Sequence, residues 1–255
     1  MELLELGIAN LSVVPVRREP KHASEQVTQL LFGEGYRVLD QADRWLHIQS
    51  LIDGYVGWID QKQYAPLSEQ LPDTYQKGLY RIATEPNLIW KDHRNGDIQI
   101  SLGSFLIPNE HERIWVTSGT SKPEKRQERP FLLQFARKFL GAPYLWGGRS
   151  QWGIDCSALT QLAYASIGID IPRDSSDQVA FGQAFDLDKA LPGDLAFFAE
   201  EEKLDHVGLV LSDNEVLHAS GYVRIDTLTT EGILLEAEER LSHKLLTIKR
   251  VLPAF

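Results

Sequence analysis

A single cysteine and two histidines carry the chemistry most visible in this chain. Cys156 is the only cysteine among 255 residues. It lies in Tyr144-Leu-Trp-Gly-Gly-Arg-Ser-Gln-Trp-Gly-Ile-Asp-Cys-Ser157, a glycine-rich approach to a helical pattern. Gly147, Gly148 and Gly153 permit tight turns and close backbone approach. Asp155 stands where an N-cap residue would, which puts Cys156 in the first helical turn. Unpaired backbone N–H groups and the helix dipole at that position favour a thiolate over a thiol. A cysteine acting only as a small buried hydrophobe would sit more naturally in mid-helix, on the apolar face with Leu159 and Leu162.

A thiol nucleophile needs a base, and the base needs an orienting group. The segment Asp205-His-Val-Gly-Leu-Val-Leu-Ser-Asp-Asn-Glu-Val-Leu-His-Ala-Ser220 reads as a hairpin turning near Asp213-Asn214, with His206 and His218 in its two arms. The two are an even distance apart (218 − 206 = 12). In an antiparallel pair they share a face only if the loop holds an odd number of residues or a bulge intervenes. A three-residue loop, Ser212–Asn214, would set His206 opposite Ser220. His218 would then be its diagonal neighbour, roughly 7–8 Å away at the backbone. The spacing alone fits a base with its orienter and two half-buried strand histidines equally well.

Composition narrows the partners. With 36 acidic and 26 basic residues the formal charge is −10, opposite to what phosphate-backbone binding requires. The same balance disfavours anionic membranes, and no apolar run approaches the ~20 residues of a bilayer span. Neither a nucleic-acid nor a membrane partner is expected. Glu2 and Glu5 occupy positions where a secretory signal would be positive, so the chain reads as cytoplasmic. One cysteine allows no intrachain disulfide, which suits a reducing compartment, and excludes multi-cysteine zinc patterns. A two-histidine, one-carboxylate metal site using Asp205 can be drawn, but a cysteine nucleophile at a helix start has no need of it. No cofactor and no metal are expected.

Around these residues the pattern divides into four stretches. Residues 1–67 hold short strand signals at Leu11–Val16, Tyr36–Gln41, Trp45–Gln49 and Tyr55–Ile59, separated by glycine turns, as in a small barrel. Residues 68–120 repeat this more weakly at Leu88–Trp90, Ile98–Leu102 and Ile114–Val116. Residues 121–130 are polar with a proline near each end, the composition of a linker. From 131 to 255, helical spacing over Phe131–Leu140 and Asp155–Ile167 gives way to strands at Asp194–Phe198, Val207–Leu211, Val216–Ala219, Val223–Asp226 and Leu245–Val251. Helices first and antiparallel strands after indicate an α+β domain.

Asp53-Gly-Tyr-Val-Gly-Trp-Ile-Asp60, with Val27–Gly35, resembles a bacterial SH3 domain, and residues 68–120 read as a second, degenerate SH3-like barrel. Six further pieces resemble the NlpC-type family of papain-like cysteine peptidases, in that family's order. They are Gly141-Ala-Pro-Tyr-Leu-Trp-Gly-Gly148, Gly153-Ile-Asp-Cys-Ser-Ala158, Ile171-Pro-Arg-Asp-Ser-Ser-Asp-Gln178, Pro192-Gly-Asp-Leu-Ala-Phe-Phe198, Asp205-His-Val-Gly-Leu209 and Leu217-His-Ala-Ser-Gly221. Ala158 replaces a common glycine.

The resemblance implies a papain-like α+β catalytic domain behind one or two all-β SH3-like barrels. Cys156 would be the nucleophile, His206 the base and His218 its orienting residue. Within the family the combination is similar to γ-D-glutamyl-L-diamino acid endopeptidases, which act on murein stem peptides with a free N-terminal L-Ala. There the first SH3-like domain helps to wall off the alanine pocket. By that likeness Tyr144, Asp155, Ser157, Tyr64 and, less directly, Glu19 are candidates for substrate binding, a carboxylate facing the ammonium. Each has a plainer reading. Asp155 also serves as an N-cap, Tyr64 as an aromatic at the barrel edge, and Tyr144 as an oxyanion donor or pocket wall. Arg173 and Asp174, after Pro172, read as structural contacts near the cleft. The barrels are expected to restrict substrates rather than grip intact wall. An acyltransferase or amidase on the same Cys–His scaffold, and a non-catalytic wall-peptide binding module, are the rival readings.

Overall fold

Buried residues on short strands organise the first part of the chain. The computed structural model describes residues 5–67, 80–92, 96–106, 120–121, 128–200, 203–212, 214–235, 237 and 239–253. It divides into two compact units, one within residues 1–124 together with Trp146–Gln151, the other within 125–145 and 152–255.

In the first unit, β1 (Leu6–Ile8), β2 (Val13–Arg17), β3 (Gln26–Leu31), β4 (Gly35–Ala42), β5 (Trp45–Ser50) and β6 (Val56–Asp60) form one antiparallel sheet in the order β1-β4-β5-β6-β2-β3. Val14, Val16, Leu30, Tyr36, Ile48 and Ile59 fill its core. Beyond it, β7 (Arg81–Ala83) pairs with β10 (Phe105–Leu106) and β11 (Thr120–Ser121), while β8 (Leu88–Asp92) and β9 (Gly96–Ile100) make a hairpin. Ala83, Ile100 and Leu106 form the small core there. The strand expected at Ile114–Val116, most of the 121–130 linker and residues 68–79 lie outside the described residues.

The segment Trp146–Gln151, containing β12 (Arg149–Ser150), is held in this first unit by polar contacts. The Arg149 guanidinium donates to the Gln29 carbonyl at 2.8 Å and to Glu34 Oε2 at 2.7 Å, and its backbone N–H donates to Gln29 Oε1. Glu34 is 0% exposed. Burial pushes its carboxyl above the usual range, with Arg149 opposing the shift. Trp146 Nε1 donates to Glu25 Oε1 at 2.7 Å. Gly147, at φ +71°, is required here, because a Cβ would collide with the Gln26 carbonyl oxygen.

The second unit contains α1 (Arg129–Arg137), β13 (Gly153–Ile154), α2 (Cys156–Ala165), α3 (Ser175–Gln178) and seven further strands. These strands are β14 (Gln183–Phe185), β15 (Leu195–Glu200), β16 (Lys203–Ser212), β17 (Glu215–Ser220), β18 (Tyr222–Leu228), β19 (Gly232–Leu235) and β20 (Arg240–Arg250). All the pairings among them are antiparallel, in the order β14-β20-β15-β16-β17-β18-β19. A further β19–β20 pairing closes six of them into a barrel. The expected helices-then-strands order is present, with more sheet than anticipated: β14 and β19 carried no strand signal. Ala196, Phe198, Val210, Val216, Leu228, Ile233 and Ile248 pack together in one apolar cluster of this sheet. The start of α1 is tied down by Arg129, which donates to Asp194 Oδ1 at 2.9 Å, while Arg250 grips Asp194 Oδ2.

Truncating Arg149 strands a buried carboxylate. Arg149→Ala is expected to destabilise the first unit by about 3–5 kcal/mol. The deficit should shrink as pH falls through the raised folded-state value of Glu34 and be gone by the unfolded value of about 4.3, where Glu34 is neutral in both states. Urea titrations followed by tryptophan fluorescence at pH 7 and pH 4 check both the loss and its direction.

Candidate active site

Asp155 caps α2 in extended backbone, its Oδ1 accepting from the Ala158 N–H at 2.8 Å. That satisfies one of the N–H groups a helix start leaves unpaired and fixes Cys156 as the first helical residue. Arg173 clamps the same carboxylate, donating to Oδ2 at 2.6 Å and Oδ1 at 3.0 Å. It also donates to Ser157 Oγ at 2.9 Å, and Ser157 Oγ in turn donates to Asp155 Oδ1. All three side chains are buried, Arg173 at 3% exposure. Arg173 is thus the structural contact its sequence context suggested. A substrate ammonium approaching Asp155 would share it with this guanidinium.

Cys156 is 7% exposed. Burial pushes its thiol up to about 12, and Asp155 adds to the shift; N–H contacts from Val207 and Ser157 and the charge of Arg173 pull the other way without prevailing. The helix start is where it was placed, and there burial acts on the thiol against the thiolate that a helix start favours.

The histidine register comes out as anticipated by a different local device. Gly208 lies opposite His218, so His206, two residues along β16, has His218 as its diagonal neighbour. The odd residue sits within the ladder, as a register shift between Val210 and Ser212, and Ser212 pairs with Glu215. Of the two devices that parity allowed, the bulge is the one found, in place of a three-residue loop over Ser212–Asn214. Gly208 makes room for this arrangement, because a Cβ on it would come within 3.0 Å of His218 Cβ. The result is a direct contact, His206 Nε2 to His218 Nδ1, at 2.8 Å.

Two neighbours carried no sequence signal. Asp226 lies on β18 opposite Val216, with Arg224 opposite His218, so Asp226 is diagonal to His218 in turn. Its Oδ2 is 2.8 Å from His218 Nε2, and Arg224 donates to its Oδ1 at 2.7 Å. Burial pushes this carboxyl up, but His218 and Arg224 outweigh it and hold Asp226 below its ordinary value. His243, on β20, stacks on His206 with ring centroids 4.3 Å apart and 26° between planes. Burial foremost, then His218 and His243, lowers the His206 pKa well below the ordinary imidazole value. Only the β17–β18 register and the pairing of β15 with both β16 and β20 reveal these two, which a single-strand pattern does not encode.

Tyr144 is half-buried, its backbone N–H donating to the Gly221 carbonyl. Burial, then the charges of Cys156 and Asp155, raise its phenol's pKa, which places the ring within their electrostatic reach. Tyr64 and Glu19 belong to the first unit. Tyr64 packs on the first barrel's core and donates to Glu5 Oε2 at 3.2 Å, as an edge aromatic would. Glu19 is a surface carboxylate paired with Lys21. Among the described residues, no group of three or more His, Cys, Asp or Glu could hold a metal ion, and no helix is long and apolar enough to cross a membrane.

Residues 141–237, which include Cys156, His206, His218 and Asp226, match the model of the NlpC/P60 family. The chain carries an NlpC/P60 domain. Residues 16–63 match the bacterial dipeptidyl-peptidase SH3 domain, so a bacterial SH3 domain precedes it. The protein is a cysteine peptidase with an NlpC/P60 domain. It is 28% identical over 252 residues to a gamma-D-glutamyl-L-lysine dipeptidyl-peptidase of Bacillus cereus, covering 84% of this chain and 74% of that relative. The corresponding figures for the protein of the same name in Bacillus subtilis are 29% over 235 residues, 83% and 78%. A crystal structure of an NlpC/P60 family protein from Bacillus cereus shares the fold at a TM-score of 0.80 and 21% identity, over 97% of this chain and all of that one. An NlpC/P60 endopeptidase from Photobacterium damselae aligns at 0.69 and 16% identity, over 95% of this chain and 70% of its own.

A buried thiol with a pKa near 12 reacts through a small thiolate fraction that grows tenfold per pH unit. Carbamidomethylation of Cys156 by iodoacetamide is expected to accelerate throughout pH 7 to 9.5. Mass-spectrometric rate measurements showing a plateau below pH 8 would contradict the burial effect.

Proposed function

We propose that the NlpC/P60 domain hydrolyses the γ-D-Glu–L-diamino acid bond of murein peptides bearing a free N-terminal L-Ala, in cytoplasmic recycling of wall fragments. The observation that carries this reading is the His206–His218 contact beside a lone cysteine at a helix start. The names of the Bacillus relatives, gamma-D-glutamyl-L-lysine dipeptidyl-peptidases, support the choice of bond.

In this reading Cys156 is the nucleophile, His206 the general base and His218 the residue that orients it. The shifts of the two pKa values, thiol up and imidazole down, set the resting pair as neutral thiol and neutral imidazole. As Sγ attacks the amide carbonyl carbon, its proton passes to His206. The imidazolium then protonates the departing amine of the diamino acid, leaving a thioester on Cys156. Water, deprotonated by His206, hydrolyses the thioester and restores the thiol. The Cys156 backbone N–H, in the first turn of α2, serves as oxyanion donor in this reading, with the Tyr144 hydroxyl as second donor or pocket wall. Asp155 and Ser157, flanking the nucleophile, would receive the substrate amine as buried polar groups shared with Arg173. Tyr64 and Glu19 keep only the support of the family resemblance.

The first test is cleavage of L-Ala-γ-D-Glu-L-Lys beside its N-acetylated form, followed by mass spectrometry. Wild type is expected to cut the free-amine peptide and to spare the acetylated one, and Cys156→Ala to lose at least about a thousandfold in kcat. Equal cutting of both peptides removes the amine-recognition part; a transferred acyl product in place of free acid points to an acyltransferase.

The net charge of −10 opposes accumulation on anionic wall polymer. Free tripeptide should therefore be turned over much faster than the same bond in intact sacculi. Equal rates in a dye-release assay and the peptide assay would overturn this preference for small fragments.

A further inference from the structure

We propose that Asp226 is a positioning residue that sets the tautomers of His218 and, through it, His206, so that Nδ1 of His206 is the nitrogen left basic. This role rests on the reading of His206 as the general base.

The argument is one of donors and acceptors. An ionised carboxylate only accepts hydrogen bonds. Asp226 is held ionised by Arg224, whose guanidinium lies 2.7 Å from both carboxylate oxygens. At 2.8 Å from Asp226 Oδ2, His218 Nε2 must therefore carry the proton. A neutral His218 then has a lone pair on Nδ1, which can only accept. The 2.8 Å contact to His206 consequently requires the proton on His206 Nε2. With Nε2 protonated and committed to His218, the lone pair of neutral His206 is on Nδ1. Without Asp226, the chain of contacts could equally run in reverse, with His218 donating from Nδ1 and His206 carrying its proton on Nδ1. A ring in that state has no lone pair at Nδ1 with which to take a thiol proton.

Burial makes the choice of tautomer consequential. His218 is 1% exposed and His206 5%, so bulk water is poorly placed to supply a missing partner to either ring. The diagonal steps His206 to His218 and His218 to Asp226 repeat across adjacent ladders, so the three groups are held by the same rigid sheet. Stacking of His243 on His206 constrains the ring plane but does not distinguish its two nitrogens. That distinction belongs to Asp226.

The test combines tautomer spectroscopy with kinetics. In protein labelled with 15N-histidine, long-range proton–nitrogen spectra of wild type should show His206 and His218 both protonated on Nε2, assigned by comparison with His206→Gln and His218→Gln. Asp226→Leu should populate the Nδ1-protonated forms and lower kcat about a hundredfold with KM little changed. Asp226→Asn, whose carbonyl can still accept from His218, should retain the wild-type tautomers and lose less. His206 protonated on Nδ1 in wild type, or an Asp226→Leu enzyme with wild-type kcat, would overturn the proposal. Failure of wild type to cleave any peptide would instead remove the functional reading, and the tautomers would still decide this one.

Discussion

The ion pair between Asp155 and Arg173 is the constraint on which the nucleophile's position depends. Both side chains are buried, and each would be costly to leave unpaired. Paired, they do three things at once: the carboxylate caps α2, the guanidinium holds Ser157, and the helix start that carries Cys156 is fixed between them. The thiol thereby sits where backbone N–H groups converge, yet in surroundings dry enough that it stays protonated. Charge compensation and desolvation are set by the same packing, and in the proposed reaction the imidazole supplies what the helix dipole alone does not.

The second unit builds its imidazoles on a closed sheet rather than on loops. β16, β17 and β18 are consecutive neighbours, so His206, His218 and Asp226 inherit their spacing from strand registers. A one-residue slip would turn any of them to the other face. The bulge after Val210 takes up the odd residue on the turn side of both histidines and so leaves their pairing undisturbed. A glycine opposite His218, which would weaken an ordinary strand, here supplies the space the second ring needs.

How much of this was legible beforehand depended on the range of each interaction. Asp155 as a cap and Cys156 as first helical residue follow from neighbours in sequence, and they are found as read. The diagonal of His206 and His218 was available from parity, though which of its two causes applied, an odd loop or a bulge, was not. Asp226 required the register of a third strand. Glu34 with Arg149 required a contact between distant stretches of chain. β3 was missed because Thr28 and Gln29 are buried on it along with the apolar residues, which erases the alternation a half-exposed strand displays. α1 begins earlier than its apolar pattern because Arg129, which looked like part of a polar linker, is buried against Asp194. Polar residues inside a core defeat pattern reading for a physical reason: their partners, not their hydropathy, put them there.

The meander of β16, β17 and β18 has a consequence for assembly of the domain. His206, His218 and Asp226 come from strands joined by short turns, so bringing them together closes only small loops and forfeits little chain entropy. Cys156 belongs to α2, far upstream, and meets them only when the helix docks on the sheet. The proton-handling half of the site is thus encoded by low-contact-order pairing, and the sulfur arrives through a long-range one. A folding chain can carry a formed histidine ladder while its thiol is still an ordinary exposed cysteine, so that in the proposed reaction the base meets the sulfur only with completed tertiary structure.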